Sequence, residues 1–324
     1  MKTAALFSTA AALMATVAAC TTQLSVNPRL ISYNIRLATN NPGAAEPRWR
    51  DRLPALLSQL NYETAARPES LVCMQEVVPT QLADVAAGLG RDWNHVGVGR
   101  DDGKNCGEFS PIFYRPDTWD MLANTTYWLS PTPDVPGSRG WDAALPRIVT
   151  VAHLRHIKSG LPFVYMCTHF DHVGQVARVE SARLLVRLAR KYARSTSSST
   201  GASEADATPV FLGGDLNIRP DNPAYLEMIA PGHYHDVRHV VGESRIHGHF
   251  YTFTGFHAGN PPQSSLSRID HIFVWRKEAR NMDLLTYGVV ENRFDDGLWI
   301  SDHRAVVVDV NFQVTKECEP RAEL

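Results

Sequence analysis

Six short apolar runs in this 324-residue chain lie against polar residues that can ligate a cation or move a proton. Leu30–Tyr33 leads to Asn34, Leu71–Gln75 to Glu76, Phe163–Thr168 to His169, and Val210–Gly214 to Asp215 and Asn217. Ile269 and Ile272–Val274 flank Asp270, and Asp302-His303 precede Ala305–Val308. Taken singly, each such residue is more often structural than catalytic, because Asp, Asn and His are common where strands turn. Repeated from run to run, they form a set. If the run ends meet at one sheet edge, several carboxylates face one another. Like charges that close cost several kcal/mol unless a cation sits among them. Oxygen donors without a cysteine or multi-histidine cage suit a hard ion, Mg²⁺ or Mn²⁺.

The elements that must position these residues are legible in outline. Runs of this length, rich in Val, Ile, Phe and Tyr, read as buried strands. Between them Trp49–Leu60, Pro79–Leu89 and Gly174–Ala193 carry apolar residues at three-to-four spacing and read as helices. In the last, Val176, Val179, Leu184, Leu188 and Tyr192 share a broad face, with Arg178, Arg183, Arg187 and Arg190 largely outside it. Interleaved strands and helices place the chain in the α/β or α+β class, and periodicity does not choose between them.

Lys and Arg number 32 and Asp and Glu 34, so the net charge is −2; hydrophobic residues make up 44% and charged residues 20%. That mix excludes disorder, collagen and a membrane bundle. The charge balance argues against a histone-like or arm-type nucleic-acid binder, though not against an enzyme that touches a few phosphates. The N-terminus is different material: Lys2, then a small apolar stretch Ala4–Ala19 ending Val17-Ala18-Ala19-Cys20. It reads as a secretory signal peptide over residues 1–20, too short and Ala-rich for a spanning helix. The same four residues resemble a lipobox, which in a bacterial host puts a lipid anchor on Cys20. Residues 21–27 read as a linker, 28–314 as one domain with a Ser/Thr-rich surface loop at 194–208, and 315–324 as a tail. Besides Cys20, four cysteines remain, enough for two disulfides in three connectivities. Cys73 and Cys167, inside apolar runs, read as buried free thiols.

The ordered series Asn34, Gln75-Glu76, Gly107-Glu108, Thr168-His169, Gly214-Asp215-Leu216-Asn217, Arg268-Ile269-Asp270 and Ser301-Asp302-His303 resembles the endonuclease/exonuclease/phosphatase superfamily over about residues 28–312. Longer stretches, Val98–Lys104 and Pro111–Arg115 among them, resemble a secreted branch related to the deadenylase and nocturnin group. The resemblance implies an α+β fold: a four-layer α/β sandwich, two mostly antiparallel sheets face to face with helices outside. It implies a metal site of Glu76 with Asn34 and Asp302. It implies that Asp215 and Asn217 orient or deprotonate a water for in-line attack on phosphorus. His169 and His303 are then phosphate-oxygen donors or proton shuttles, each backed by an acid that raises its pKa: Glu108 for His169 and Asp270 for His303.

Asp171, His172, Arg147 and Arg178 are candidates for the substrate rim, with a structural loop the equal reading for Asp171 and His172 and an exposed surface arginine the preferred reading for Arg147. His271 reads as packing. His233, His235, His239, His247, His249 and His257 lack regular ligand spacing and read as loop surface or rim. The expected activity is phosphoester hydrolysis, either as a phosphodiesterase or nuclease, including a 3′–5′ exonuclease, or on a small phosphorylated metabolite, sugar or lipid headgroup. A non-catalytic binding module is the third reading. The expected partner is the phosphoester alone, with the chain monomeric.

Overall fold

A computed structural model describes residues 20–194, 207–275 and 281–317. The expected leader up to residue 19 and the bulk of the expected Ser/Thr-rich loop lie outside the described residues. The strands are β1 Thr21–Val26, β2 Arg29–Asn34, β3 Leu71–Gln75, β4 Asn94–Val96, β5 Ile112–Tyr114, β6 Trp119–Trp128 and β7 Ile148–His156. They continue as β8 Pro162–His169, β9 Val210–Asp215, β10 Tyr234–Asp236, β11 Ile246–Gly248, β12 Asp270–Trp275, β13 Met282–Val289 and β14 Val306–Glu317. The main helices are α1 Trp49–Thr64, α2 Pro79–Leu89, α3 Gln175–Arg194 and α4 Pro223–Met228.

One sheet of eight strands runs β11-β13-β14-β2-β3-β5-β4, with β1 added beside β14; the other, of six, runs β10-β12-β9-β8-β7-β6. Pairing is antiparallel except for β2 with β3, β8 with β9 and β11 with β13. Side-chain alternation explains the layers. On β3, Leu71 and Cys73 enter the core between the sheets, while Val72 and Met74 pack with Leu56, Leu60 and Val85 of α1 and α2. On β8, Phe163, Tyr165 and Cys167 face the same central core, while Val164 and Met166 pack against Leu185 and Ala189 of α3. The result is helix, sheet, sheet, helix, the four-layer sandwich. On α3 the face is as expected for Leu184 and Leu188, but Val176 at its first turn is exposed.

Two expected boundaries change. Residues 21–26 are no linker: they form β1, in register with β14 from Thr21 opposite Glu317 to Val26 opposite Phe312. Residues 21–25 are mostly polar and exposed, so no apolar run marks the strand, and main-chain pairing carries it. For the same reason β14 extends to Glu317, past the point where the tail was expected to begin.

The thiols differ too. Cys73 and Cys167 form a disulfide across the two sheets, Cα to Cα 5.3 Å. Each is free of neighbours in its own run, and only the stacking of the inward faces of β3 and β8 brings them together. By chain entropy, closing a loop with separation 94 stabilises the fold by roughly 4–5 kcal/mol. Cys20 is itself disulfide-bonded, a state that a lipid on the same sulfur precludes. Cys106 is an exposed free thiol. Among the described residues, no helix is long and apolar enough to cross a membrane.

Candidate active site

Parallel pairing gathers the chemical residues at one edge. The parallel pair β2 and β3 deliver Asn34 and Glu76 from their C-terminal ends. The parallel pair β8 and β9 end in register at His169 opposite Asp215. The antiparallel neighbour β12 begins there, so Asp270 lies opposite Asp215. β14 runs antiparallel to β2, which puts Asp302 and His303, just before it, at the same edge. The eight-stranded sheet thus supplies Asn34, Glu76, Asp302 and His303, and the six-stranded sheet His169, Asp215, Asn217 and Asp270. Leu216, between the two site residues of β9's end, is fully buried in the core under α3.

The side chains interlock. Asn34 Nδ2 donates to Glu76 Oε1 and to Asp215 Oδ2, both at 3.0 Å. The other Glu76 oxygen accepts the Leu37 N–H at 3.0 Å and lies 3.8 Å from the Arg36 guanidinium. Asp270 holds His303 Nδ1 at 2.9 Å, and His303 Nε2 lies 3.7 Å from Asp215 Oδ2. On the other side of Asp215, His169 Nε2 stands at 3.4 Å and also 3.1 Å from Asn217 Nδ2. Ser301 Oγ donates to the Asn34 carbonyl at 2.7 Å, tying the Asp302-His303 turn to β2. Arg36, Glu76 and Asn217 all sit in left-handed backbone (φ 57°, 62° and 52°), strain concentrated where function needs it.

The two histidines are pushed in opposite directions. Burial alone would lower the pKa of His303, but the charges of Asp270 and Asp215 raise it well above the usual value. Burial lowers His169 well below that value, and the Arg147 and Arg100 guanidinia push it further down. Burial, with the charge of Asp270, pushes Asp215 up to about 7. Burial also raises Asp302, with His303 opposing and Glu76 reinforcing the shift.

The donor set fits a hard divalent cation. Oxygens of Glu76 and Asp215 and a nitrogen of His169 lie within 4.8 Å of one another, as do ligand atoms of Asp215, Asp270 and His303. Glu76 is the central acid, with Asp302 close enough to feel its charge. Asn34, expected as a ligand, has another task here. Its Oδ1 accepts the Arg36 N–H at 2.9 Å, so its amide nitrogen faces the acids and holds Glu76 and Asp215 in place.

Four further expectations are corrected. Glu108 does not back His169: its two oxygens grip Arg100 at 2.7 Å each, and the nearer one stays 3.8 Å from His169 Nδ1. The pKa of His169 is accordingly lowered rather than raised. Asp171 is 2% exposed, and its carboxylate accepts the backbone N–H groups of Ala144, Leu145, Val173 and Gly174, so it pins loops rather than lining a rim. Arg178 is bound to the Asp171 carbonyl and to Gln175 at the start of α3. Arg147 is no surface arginine: it is 5% exposed and donates to exposed His172 at 3.1 Å. His271 is buried packing, as expected, with Asp236, Arg268 and Tyr225 around it. Of the loop histidines, His249 pairs with Glu291, His239 meets Tyr225 and His257 meets Ser265, so these three share no centre.

Three residues escaped the sequence reading. Arg36 lies two positions beyond Asn34 and touches Glu76. Arg100, within the Val98–Lys104 stretch, neutralises Glu108. Asn292 is fully buried and its Nδ2 donates to the carbonyls of Ser301 and His303, which sets the height of that turn. Only the hairpin and loop geometry discloses the last two.

Comparison with known proteins agrees with this fold. A solved endonuclease/exonuclease/phosphatase from Bacteroides vulgatus is 30% identical, with a TM-score of 0.75 over 88% of this chain and 98% of that one. A mannosyl-6-phosphatase of Bacteroides thetaiotaomicron is 31% identical, with a TM-score of 0.71 over 87% of this chain and 98% of that one. The human nocturnin catalytic domain shares the fold at 13% identity, with a TM-score of 0.60 over 90% of this chain and 97% of that one. No curated protein matches significantly. The sequence pattern of the endonuclease/exonuclease/phosphatase family matches residues 31–303, and the chain belongs to that family.

Proposed function

We propose that this protein is a divalent-metal-dependent phosphoester hydrolase that acts on a small phosphorylated molecule such as a sugar phosphate. One observation carries the reading: Glu76 and Asp215, bridged by Asn34, and the Asp270–His303 pair, 3.7 Å from Asp215, are far apart along the chain and meet at one edge of the sandwich. A bound cation supplies charge neutralisation on the phosphoryl and leaving oxygens. Asp215, backed by Asn34 and flanked by both histidines, orients the attacking water and takes its proton. His303, charged through Asp270, donates to a phosphoryl oxygen. Asn217 fixes His169 on the opposite side. The small-substrate choice is supported by the charge of −2 without a basic excess and by the likeness to a mannosyl-6-phosphatase.

The test is a substrate panel with the purified protein. Hydrolysis of p-nitrophenyl phosphate and hexose phosphates is expected only with added Mg²⁺ or Mn²⁺, exceeding that of single-stranded RNA, duplex DNA and sphingomyelin. Glu76→Gln is expected to cut turnover by about 10³-fold while folding normally, the scale of losing a key electrostatic group. Full activity in a chelator, or an unimpaired Glu76→Gln variant, would refute the proposal. We further propose that residues 1–19 are an export leader and that the mature protein starts at a disulfide-bonded Cys20; mass spectrometry of the mature N-terminus reads both.

A further inference from the structure

Beside the reacting centre lies a cavity whose donors have no acceptor. It is lined by Arg100, Glu108, Ser110, Arg147, Ile148 and His169 and offers about 10 Å³ to the centre of a water-sized atom, room for one oxygen. Among the described residues, Arg147 Nε and Nη1, Arg100 Nε and His169 Nδ1 are buried without a hydrogen-bond partner. The tautomer of His169 follows from its neighbour. Asn217 Nδ2 donates to the Phe170 carbonyl at 3.1 Å, which fixes the amide, and the same nitrogen faces His169 Nε2 at 3.1 Å. Nε2 is therefore the acceptor, and Nδ1 carries its hydrogen into the cavity.

The nearby acids are occupied elsewhere. Glu108 is committed to Arg100 through both oxygens. Asp171 spends its oxygens on four backbone N–H groups and stays 3.7 Å from Arg147 Nε. A 5% exposed guanidinium with unpaired N–H groups is costly to maintain without an anion to meet it.

We propose that this cavity receives an unesterified oxygen of the scissile phosphate, so that Arg147 and His169 make the enzyme a phosphomonoesterase. The inference rests on the hydrolase reading above and names the ester it acts on. A phosphomonoester has three terminal oxygens and a diester only two. The third oxygen of a monoester enters the cavity and meets the N–H groups of Arg147 and His169. A diester can also turn an unesterified oxygen into the cavity, but it brings one negative charge where a monoester brings close to two, and its second esterified group must then fit beside the remaining donors. The charge of the buried guanidinium therefore favours the monoester.

The experiment compares p-nitrophenyl phosphate with bis(p-nitrophenyl) phosphate in the metal-loaded enzyme, with inorganic phosphate as a competitor that needs no turnover. Wild type is expected to favour the monoester by about 100-fold or more in kcat/KM, the scale of one buried charged contact. Arg147→Ala is expected to lower monoester kcat/KM about 100-fold more than diester kcat/KM and to weaken inhibition by phosphate at least about 10-fold. Arg147→Lys keeps the charge without the fork, so it recovers part of the preference. Arg147→Ala also removes the Nη2 bond to His172 and leaves a space in a buried region, so thermal unfolding is followed alongside and Arg147→Lys carries the comparison if the alanine variant does not fold. Equal loss on both esters, a wild-type preference for the diester, or unchanged phosphate inhibition would overturn the proposal. Failure of wild type on both esters with metal present would instead strike the hydrolase reading, and calorimetry of phosphate on wild type and Arg147→Ala would still report on the cavity.

Discussion

His303 and His169 flank the same carboxylate, Asp215, and are about equally buried, with side chains 5% and 8% exposed. Burial lowers the pKa of both. Around His303 the neighbours are Asp270, Asp215 and Asp302, and their charges outweigh burial. Around His169 the largest neighbouring charges are Arg147 and Arg100, and they add to it. The two imidazoles are thus pushed in opposite directions within one site. The environments, not the residue type or the place at a strand end, set the direction for each histidine. Pairs of groups driven apart in this way are how a site keeps a donor and an acceptor at the same pH.

The sharpest way to break this contrast is to remove the acid behind His303. Asp270→Asn is expected to lower kcat by about 10³-fold or more, the scale seen when a catalytic histidine loses its orienting acid. Nuclear magnetic resonance should show the His303 pKa falling, and an unmoved pKa with full turnover would abolish the contrast. A second acid–histidine–arginine group, built on the neighbours of Asp270 along the chain, serves as a comparison. Buried Asp236 receives Arg268 at 2.8 Å and Tyr225 at 2.7 Å, with His271 at 3.5 Å. Burial alone would raise its pKa, but the His271 hydrogen bond and the Arg268 and His271 charges hold it well below the usual range.

Because the folded-state pKa of Asp236 is depressed, its contribution to stability is present above the unfolded value near ~3.9 and is lost as pH falls below it. Asp236→Asn is expected to cost about 3–5 kcal/mol near neutral pH and to flatten the acid limb of the stability curve, read by urea unfolding from pH 7 to 3. A loss of turnover in the surviving folded fraction would mean that the group is not merely structural.

A smaller effect is expected from His169→Ala, about 10²-fold in kcat, the contribution of one positioned proton-handling group. Smaller still is Glu108→Gln. Since Glu108 serves Arg100, this variant should keep turnover within about tenfold and lose roughly 2 kcal/mol of stability from the unpaired guanidinium. If Glu108→Gln matched His169→Ala in turnover, the pairing expected from sequence would be restored and the lowered pKa of His169 would need another cause.

The strand ends were readable because each lies where a buried apolar run stops or starts, and that is a local event. Asn34, Glu76, His169, Asp215, Asp270 and His303 all lie where that rule puts them. The partnerships were less readable. Glu108 and His169 are 61 positions apart along the chain and close in space, but Arg100, eight residues before Glu108 and folded back onto it, takes the carboxylate first. Arg147 reads as surface because a lone arginine after a proline usually is, yet it is 5% exposed, next to the segment that Asp171 pins. β1 went unseen because polar residues leave no periodic trace when backbone pairing alone makes the strand.

Residue order alone determined the apolar runs, the helices between them and the polar residues that punctuate them, since these depend on neighbours a few positions away. Only the folded chain decided which acid meets which base. That depends on distances between strands of two different sheets, and electrostatic energy follows those distances rather than separation along the chain. The Cys73–Cys167 bridge, the lowered pKa of His169 and the unpaired donors of Arg147 all arise at that level.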